Sequence, residues 1–524
     1  MKTFRLTLIL TLLLTAPAAF AGVDVNGDNS VDVSDLNYVI NTLMGQTTGY
    51  DCDVSGDGFV DVADINLLIN AILGSTPQPD PEPKRGHDYV WDMTRLPEIH
   101  IAVSLNEWNR LLSLYDENPG TKQYIMARRF TFTQNGQTTT IDSIGMRLRG
   151  NTSRRRPEGE KGQKHNAQQP QLRHFHIGVN LRKYNKDELH TIDGVRKLNL
   201  KWFSNDPTYV RELFCYNTFR DFGVWTASRD NYCRLWIKID GDPTETYMGV
   251  YEMIEPVDEN YLKNRADALQ FGTAKGNLWK CQYVGAPATL TNPNNGDYYY
   301  DDNSDDNHTY TLQTNTKRFD NAKAQFIDFQ LKLNGKSRES FYTWIQQVCD
   351  VDLLLKTYAV NVALGMWDDY WNNSNNYYLY FTTEDLTNYK VYFIPYDYDN
   401  SLGTTSQCGN QSDAGRQDPL QWGLNTNPLI QRLMDYDDFR TIYINYLKQL
   451  VDPQTGPIYY KNAAKRIRAW QSKVEPYVDN DTGEDTTISD RPASWGNHGE
   501  YRLLDESPDV NYFRVKADVI NQLR

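Results

Sequence analysis

Two stretches of this chain repeat one another 29 residues apart: DVNGDNSVDVSDLNYVINTLMG starts at Asp24 and DVSGDGFVDVADINLLINAILG at Asp53. Each opens with a loop whose oxygen-bearing side chains recur at the spacing of a calcium-binding loop of about twelve residues. They are Asp24, Asn26, Asp28, Asp32 and Asp35 in the first copy, and Asp53, Ser55, Asp57, Asp61 and Asp64 in the second. The backbone carbonyl of Ser30 or Phe59 would supply the ligand at the seventh position. Gly58 allows the sharp turn in the second loop; Asn29 takes that place in the first, because Asn enters the left-handed region. A short helix is predicted after each loop, over 36–44 and 65–73, closed by Gly. Helices this short bury little without a metal tie, so one Ca²⁺ per loop is expected.

The segment 75–86, STPQPDPEPKRG, holds four prolines and reads as an extended spacer. Upstream, Lys2 and Arg5, the apolar run 6–14 and Ala19-Phe20-Ala21 have the order of a secretory signal peptide. The expected organisation is therefore signal peptide 1–21, repeat module 22–75, linker 76–86 and a large domain 87–524. The run is too short to span a bilayer, and no later segment qualifies; export to the bacterial exterior or cell surface is expected. The formal charge of −14, or −16 once Lys2 and Arg5 are removed, argues against nucleic acid as a partner. Six scattered cysteines without a CxxC give neither a zinc site nor a redox centre, and leave disulfides and buried thiols both open.

In the large domain the chemistry concentrates in MWDDYWNNSNNYYLYFTTEDLTNYKVYFIPYDYDNSLG, residues 366–403. Asp368 and Asp369 come first, then an Asn-rich loop ending at Asn376, an aromatic strand over 377–381, and a second strand over 390–394 that delivers Asp397 and Asp399. An acid, an amide, a hairpin and a further acid suit phosphoryl transfer: the first acid orients a hydroxyl, and the amide and later acids hold Mg²⁺ or Mn²⁺. Such a reaction also needs a strand lysine on the phosphates and an acid to pair it. Lys201, in an alternating stretch over 197–202, and Glu212, on a helix predicted to start at Asp206-Pro207, are the candidates, although no VAIK-like motif marks the lysine. Arg149 ends a strand over 144–149 that runs into a Gly-Asn-Thr-Ser turn able to cradle phosphate; an exposed strand face is the simpler alternative. Hairpin strands are predicted over 232–239 and 247–254. Residues 154–171 read as a mobile basic stretch, 287–307 as a solvated loop, 427–450 as helix, and the segment after Gly403 as a substrate loop.

NNYYLY followed by IPYDYDNSLG resembles the CotH kinase family, as do LPEIHIAVSLNEW, GMRLRGNTS, YMGVYEMIEPVD and GNLWK in order along the chain. The resemblance implies an α+β, diverged two-lobed protein-kinase-like domain that uses ATP to phosphorylate protein hydroxyls. It ranks Asp368 above Asp369 as the base and brings Glu255 near the nucleotide, though Glu255 is equally placed to cap the helix near Asn260. The loop-plus-helix duplication resembles dockerin modules, small α-helical calcium-dependent plugs for cohesin domains on scaffold proteins. Val33-Ser34 and Val62-Ala63 occupy the loop positions that help choose a dockerin's partner. A CotH-like adhesion module without catalysis, and a dockerin-borne carbohydrate-active protein with Asp368 and Asp397 as a glycosidase-like pair, are the alternatives.

Overall fold

The structure, a computed structural model, describes residues 24–28, 30–55, 60–72, 87–291, 293, 296–301, 305–404, 413–423, 427–493 and 501–524. The signal peptide, the linker, Asn29, Asp57, Gly58, Phe59 and Cys408, and most of the expected substrate loop, lie outside these residues. The chain divides into two compact units, 1–85 and 86–524.

In the first unit the helices run Val33–Leu43 and Val62–Ile72, each starting three residues before its predicted position. Asp32 explains the early start of the first. Its carboxylate accepts the Ser34 N–H, and Asp35 reaches back to the Asp32 N–H, forming a capping box. The core under the helices is small: Val25, Val39, Cys52 and Leu68, with partly buried neighbours.

The second unit begins with a closed barrel of β1 (Glu98–Val103), β2 (Ile125–Gln134), β3 (Gln137–Leu148), β4 (Ile177–Asn180), β5 (Lys197–Lys201), β6 (Asp230–Ile239) and β7 (Thr246–Ile254). Neighbours pair antiparallel in the order β1-β2-β3-β4-β5-β7-β6, and β1 closes the ring by running parallel to β6. Alternation drives it. Ile99, Ile101 and Val103 point inward from β1, where they join the buried Trp108, Leu111 and Leu112 of the helix Leu105–Glu117. A second sheet contains β8 (Asn277–Cys281), β9 (Tyr298–Tyr300), β10 (Tyr310–Leu312), β11 (Tyr377–Phe381) and β12 (Val391–Pro395), in the order β12-β11-β8-β10-β9. It packs with the helices Phe319–Gly335, Arg338–Val348, Val351–Leu364 and Asp437–Leu450 around one large aromatic core. The helix Val351–Leu364 is buried on nearly every side, so it is a central element and not a surface one.

Several expectations need correction. The helix carrying Glu212 runs Arg211–Asp221 and does not start at Asp206. Asp206 instead sits in a preceding turn and accepts the N–H groups of Val210 (3.0 Å) and Arg211 (2.9 Å). Residues 154–171 are anchored: Arg156 pairs with Asp116 at 2.8 Å, and the fully buried His165 lies between Glu158 (3.0 Å) and Asp242 (2.7 Å). Within 287–307, Tyr298–Tyr300 forms an edge strand with Tyr298 buried. The stretch 427–450 is two helices, Pro428–Met434 and Asp437–Leu450, broken at Asp435 and Tyr436. The five described cysteines are buried free thiols. Among the described residues no helix is long and apolar enough to cross a membrane.

Candidate active site

Three chain segments meet at one buried lysine. Lys201 ends β5 and Glu212 lies in the first turn of Arg211–Asp221; the two form an ion pair. From beyond β12, Asp397 reaches the same ammonium at 2.9 Å and Asp399 approaches it at 3.6 Å. Carboxylate oxygens of Glu212, Asp397 and Asp399 all lie within 4.8 Å of one another, an arrangement that fits a metal ion. Three carboxylates crowd about this one ammonium, with the Arg149 guanidinium acting on Asp397 and Glu212 as well. Burial raises Glu212 above the usual carboxylate range, and burial together with the neighbouring acids raises Asp399. Burial acts the same way on Asp397, but Lys201 and Arg149 outweigh it and hold that carboxyl low. A divalent cation with a preference for hard oxygen donors would relieve this crowding.

The backbone at Asp397 is held in the left-handed region, φ 61°, where Asp and Asn are tolerated better than most residues. Tyr216, one helical turn after Glu212, helps keep it there by accepting the Asp397 N–H at 2.9 Å. Glu212 is fixed from the other side by the Tyr398 N–H at 3.2 Å. The Tyr398 hydroxyl donates to Asn361 at 2.7 Å, and Asn361 donates to Asp369. A chain of hydrogen bonds thus connects the two acid-bearing segments.

Asp368 and Asp369 have different surroundings. Asp369 is buried and caps the short helix Tyr370–Asn373, accepting the Asn372 N–H at 2.7 Å. Asp368 is half-buried and receives amide donors from Asn373 (2.6 Å), Asn375 (3.0 Å) and Asn376 (2.9 Å). Burial raises Asp368 to about 6 despite those bonds, and burial raises Asp369 to about 8. Asn376 is therefore turned toward Asp368, and Glu212 takes its expected place beside Asp397 and Asp399.

Arg149 follows β3 and donates to the Tyr396 hydroxyl at 2.5 Å, next to the acid cluster. Glu255 does not join the cluster. Both its oxygens accept from Arg265, at 3.0 and 2.7 Å, and it also accepts the Arg229 N–H at 3.1 Å. Burial would raise its pKa, but Arg265 and Arg229 outweigh that and lower it to about 2. Asp258, not Glu255, caps the helix Glu259–Lys263. Tyr216 and Tyr398 escape a reading of the sequence. Tyr216 could have been found from its position four residues after Glu212 on one helix face.

The described parts of the two N-terminal loops are built alike. Asp35 accepts the N–H groups of Asn26 (3.1 Å) and Asp32 (2.9 Å); Asp64 does the same for Ser55 (2.8 Å) and Asp61 (2.7 Å). Asp24 turns its carboxylate inward to the N–H groups of Gly27 and Asp28. The donor set fits Ca²⁺: carboxylates, an amide and a hydroxyl, all hard oxygens. Of the expected ligands Asp57 and the Phe59 carbonyl are outside the described residues. Val33 and Val62, each at the start of its helix, are exposed.

A two-unit chain with a loop-duplicated module and a buried Lys–Glu–Asp centre defines the class, and family comparison places it. A family model described as CotH kinase protein matches residues 147–509, well over half of the chain, and one described as Dockerin type I domain matches residues 22–73. The chain belongs to the CotH kinase protein family and carries an N-terminal dockerin type I domain, which implies calcium binding and a cohesin partner. A comparison with curated proteins finds no match.

Proposed function

We propose that this protein is an exported, ATP- and Mg²⁺-dependent protein kinase tethered to a scaffold or cell surface through its dockerin. The observation that carries the reading is Lys201, which bonds Glu212 and Asp397 from separate segments. A strand lysine paired with a helix acid, beside carboxylates fit for a metal, is the apparatus that phosphoryl transfer requires. Barrel and helical part would act as two lobes about this centre. Glu212, Asp397 and Asp399 would hold Mg²⁺ or Mn²⁺, which neutralises phosphate charge when bound. Lys201 and Arg149 would orient phosphate oxygens.

Asp368 is the base, accepting the proton of the protein hydroxyl at its carboxylate, which the asparagines hold in one orientation. Asp369 serves by fixing the turn that presents Asp368. A glycosidase pair of Asp368 and Asp397 fits less well, because Asp397 is tied to Lys201. Incubation with labelled ATP, Mg²⁺ or Mn²⁺ and a generic protein should give phosphorylated product or autophosphorylation. No label transfer with either metal, and no nucleotide-dependent thermal shift, would reject the kinase reading.

A further inference from the structure

Four cations of the interior, Lys201, Arg156, Arg220 and Arg265, each lie within 2.9 Å of a carboxylate. Lys280 and Arg149, both half-buried, have no such partner among the described residues. Lys280 occupies an inner strand, opposite Tyr378 of β11 and Thr311 of β10. Its neighbours Trp279 and Cys281 point into the large core, so Lys280 projects from the other face with Leu278. That face is built from Leu278, Tyr378, Tyr380 and Ile394. The ammonium stands 5.6 Å from the centre of the Tyr396 ring, whose hydroxyl accepts from Arg149 at 2.5 Å. Two cations thus flank one phenol on an apolar sheet face.

We propose that Lys280 and Arg149 form an anion subsite that takes a phosphoryl group of the nucleotide, opposite the carboxylates of Glu212, Asp397 and Asp399. The proposal deepens the kinase reading and rests on it. Asp397 is the carboxylate that acts most on both cations, but it is already bonded to Lys201, so a further anion would relieve the positive charge that remains. The surrounding charges agree: Arg149 is the main cation acting on Lys280, with Lys122 and Arg147 behind it, and Asp397 is the main acid. Burial, then Arg149, lowers Lys280 to about 8, as expected for an ammonium short of counter-charge. Two cations thus gather about Tyr396 and three carboxylates about Lys201. A metal-bound polyphosphate has the complementary division of charge.

Calorimetry on the full chain tests this with ATP, ADP, adenosine and inorganic tripolyphosphate, each with Mg²⁺, for wild type, Lys280→Met and Lys280→Arg. Lys280→Met should bind ATP and tripolyphosphate about tenfold or more weakly while adenosine binding is unchanged, and Lys280→Arg should keep most of the affinity. Without ligand, Lys280→Met should melt no lower than wild type, since it removes an uncompensated charge. If Lys280→Met folds and binds ATP and tripolyphosphate as tightly as wild type, Lys280 is only a prop on Tyr396 and the subsite is wrong. If Lys280→Met does not fold, Lys280→Gln replaces it, and loss of folding there too would overturn the proposal by making Lys280 structural. Wild-type binding of tripolyphosphate that depends on Lys280, without any nucleotide binding, would keep the anion subsite and remove the nucleotide.

Discussion

The two units of this chain use carboxylates in opposite ways. In the first, acids stand where a core would otherwise be: among the described residues Val25, Val39, Cys52 and Leu68 are the buried apolar side chains, while Asp35 and Asp64 are buried as organisers of the loops. In the second, extensive aromatic and aliphatic clusters form the fold, and Glu212, Asp397 and Asp399 are crowded at one place within it. Acids that build a fold and acids that a fold forces together should respond differently to loss of metal and to neutralisation.

Chelation is the largest test of this difference. With EDTA, amide exchange on the full chain should rise by orders of magnitude across 24–72 and stay unchanged through the strands and helices of 86–524, because calcium affinity in such a module is folding free energy. Protection of the first unit that survives EDTA would mean that its small core suffices, and the contrast between the units would collapse.

Neutralising an acid of the candidate site should leave the fold of the second unit intact and remove its chemistry. Asp368→Asn should lower phosphate transfer by roughly 10²–10⁴-fold, the usual contribution of a general base, with nucleotide binding retained. In the wild type, transfer should fall as pH drops through about 6, because Asp368 is raised to about 6 by burial and must be deprotonated to accept a proton. Wild-type transfer by Asp368→Asn would transfer the role to Asp369, despite its capping bonds.

Glu255 is an acid of the second unit that serves the fold, as Asp35 and Asp64 do in the first. Its pair with Arg265 is buried, and Glu255→Gln should destabilise the unit by about 3 kcal/mol, by leaving the guanidinium without its counter-charge. The pH dependence has a definite sign. The folded pKa of about 2 lies below the ordinary 4.5, so the stabilisation is complete above about pH 4.5 and is lost as pH falls toward 2. Acid denaturation of wild type and Glu255→Gln should therefore converge at low pH; parallel curves would show that the pair carries no linked protonation.

Sequence reaches part of this architecture and stops for identifiable reasons. The β11 and β12 strands and the placement of Asp397 and Asp399 after them are legible because strand, Pro and acid are local signals. Lys201 and Glu212 are legible because an alternating strand ends at the lysine and a helix carrying the acid follows within eleven positions. The barrel closure between β1 and β6 is not, since the register Glu98 to Arg234 depends on chain far apart in sequence. The same applies to the burial of His165 by Asp242, which turns an apparently mobile basic stretch into a fixed one. Glu255 reads as a cleft acid until Arg265, ten residues on, is seen to occupy both its oxygens. Asn376 differs for a subtler reason: the β11–β12 hairpin suggests an ion shared with Asp397, but the Asn376 amide N–H donates to Asp368 at 2.9 Å.

The smallest effect expected is at Asp397, and its interpretation depends on which substitution is made. At φ 61° an Ala side chain adopts the left-handed region at a cost of roughly 1–2 kcal/mol, so Asp397→Ala mixes backbone strain with the loss of a carboxylate. Asn tolerates that conformation and keeps the shape, so Asp397→Asn isolates the charge. Lys201 retains Glu212 and Asp399 in that variant, and the fold should hold. Calorimetry should show Mg²⁺-dependent ATP binding weakened about 10–100-fold, the scale on which altered metal sites lose affinity, and ATP binding without Mg²⁺ unchanged or slightly stronger, because one repulsive carboxylate is gone. Equal Mg–ATP affinity in wild type and Asp397→Asn would mean that Asp397 serves only to balance Lys201. The metal would then have to rest on Glu212 and Asp399, and Asp397 would join Glu255 among the acids that serve the fold.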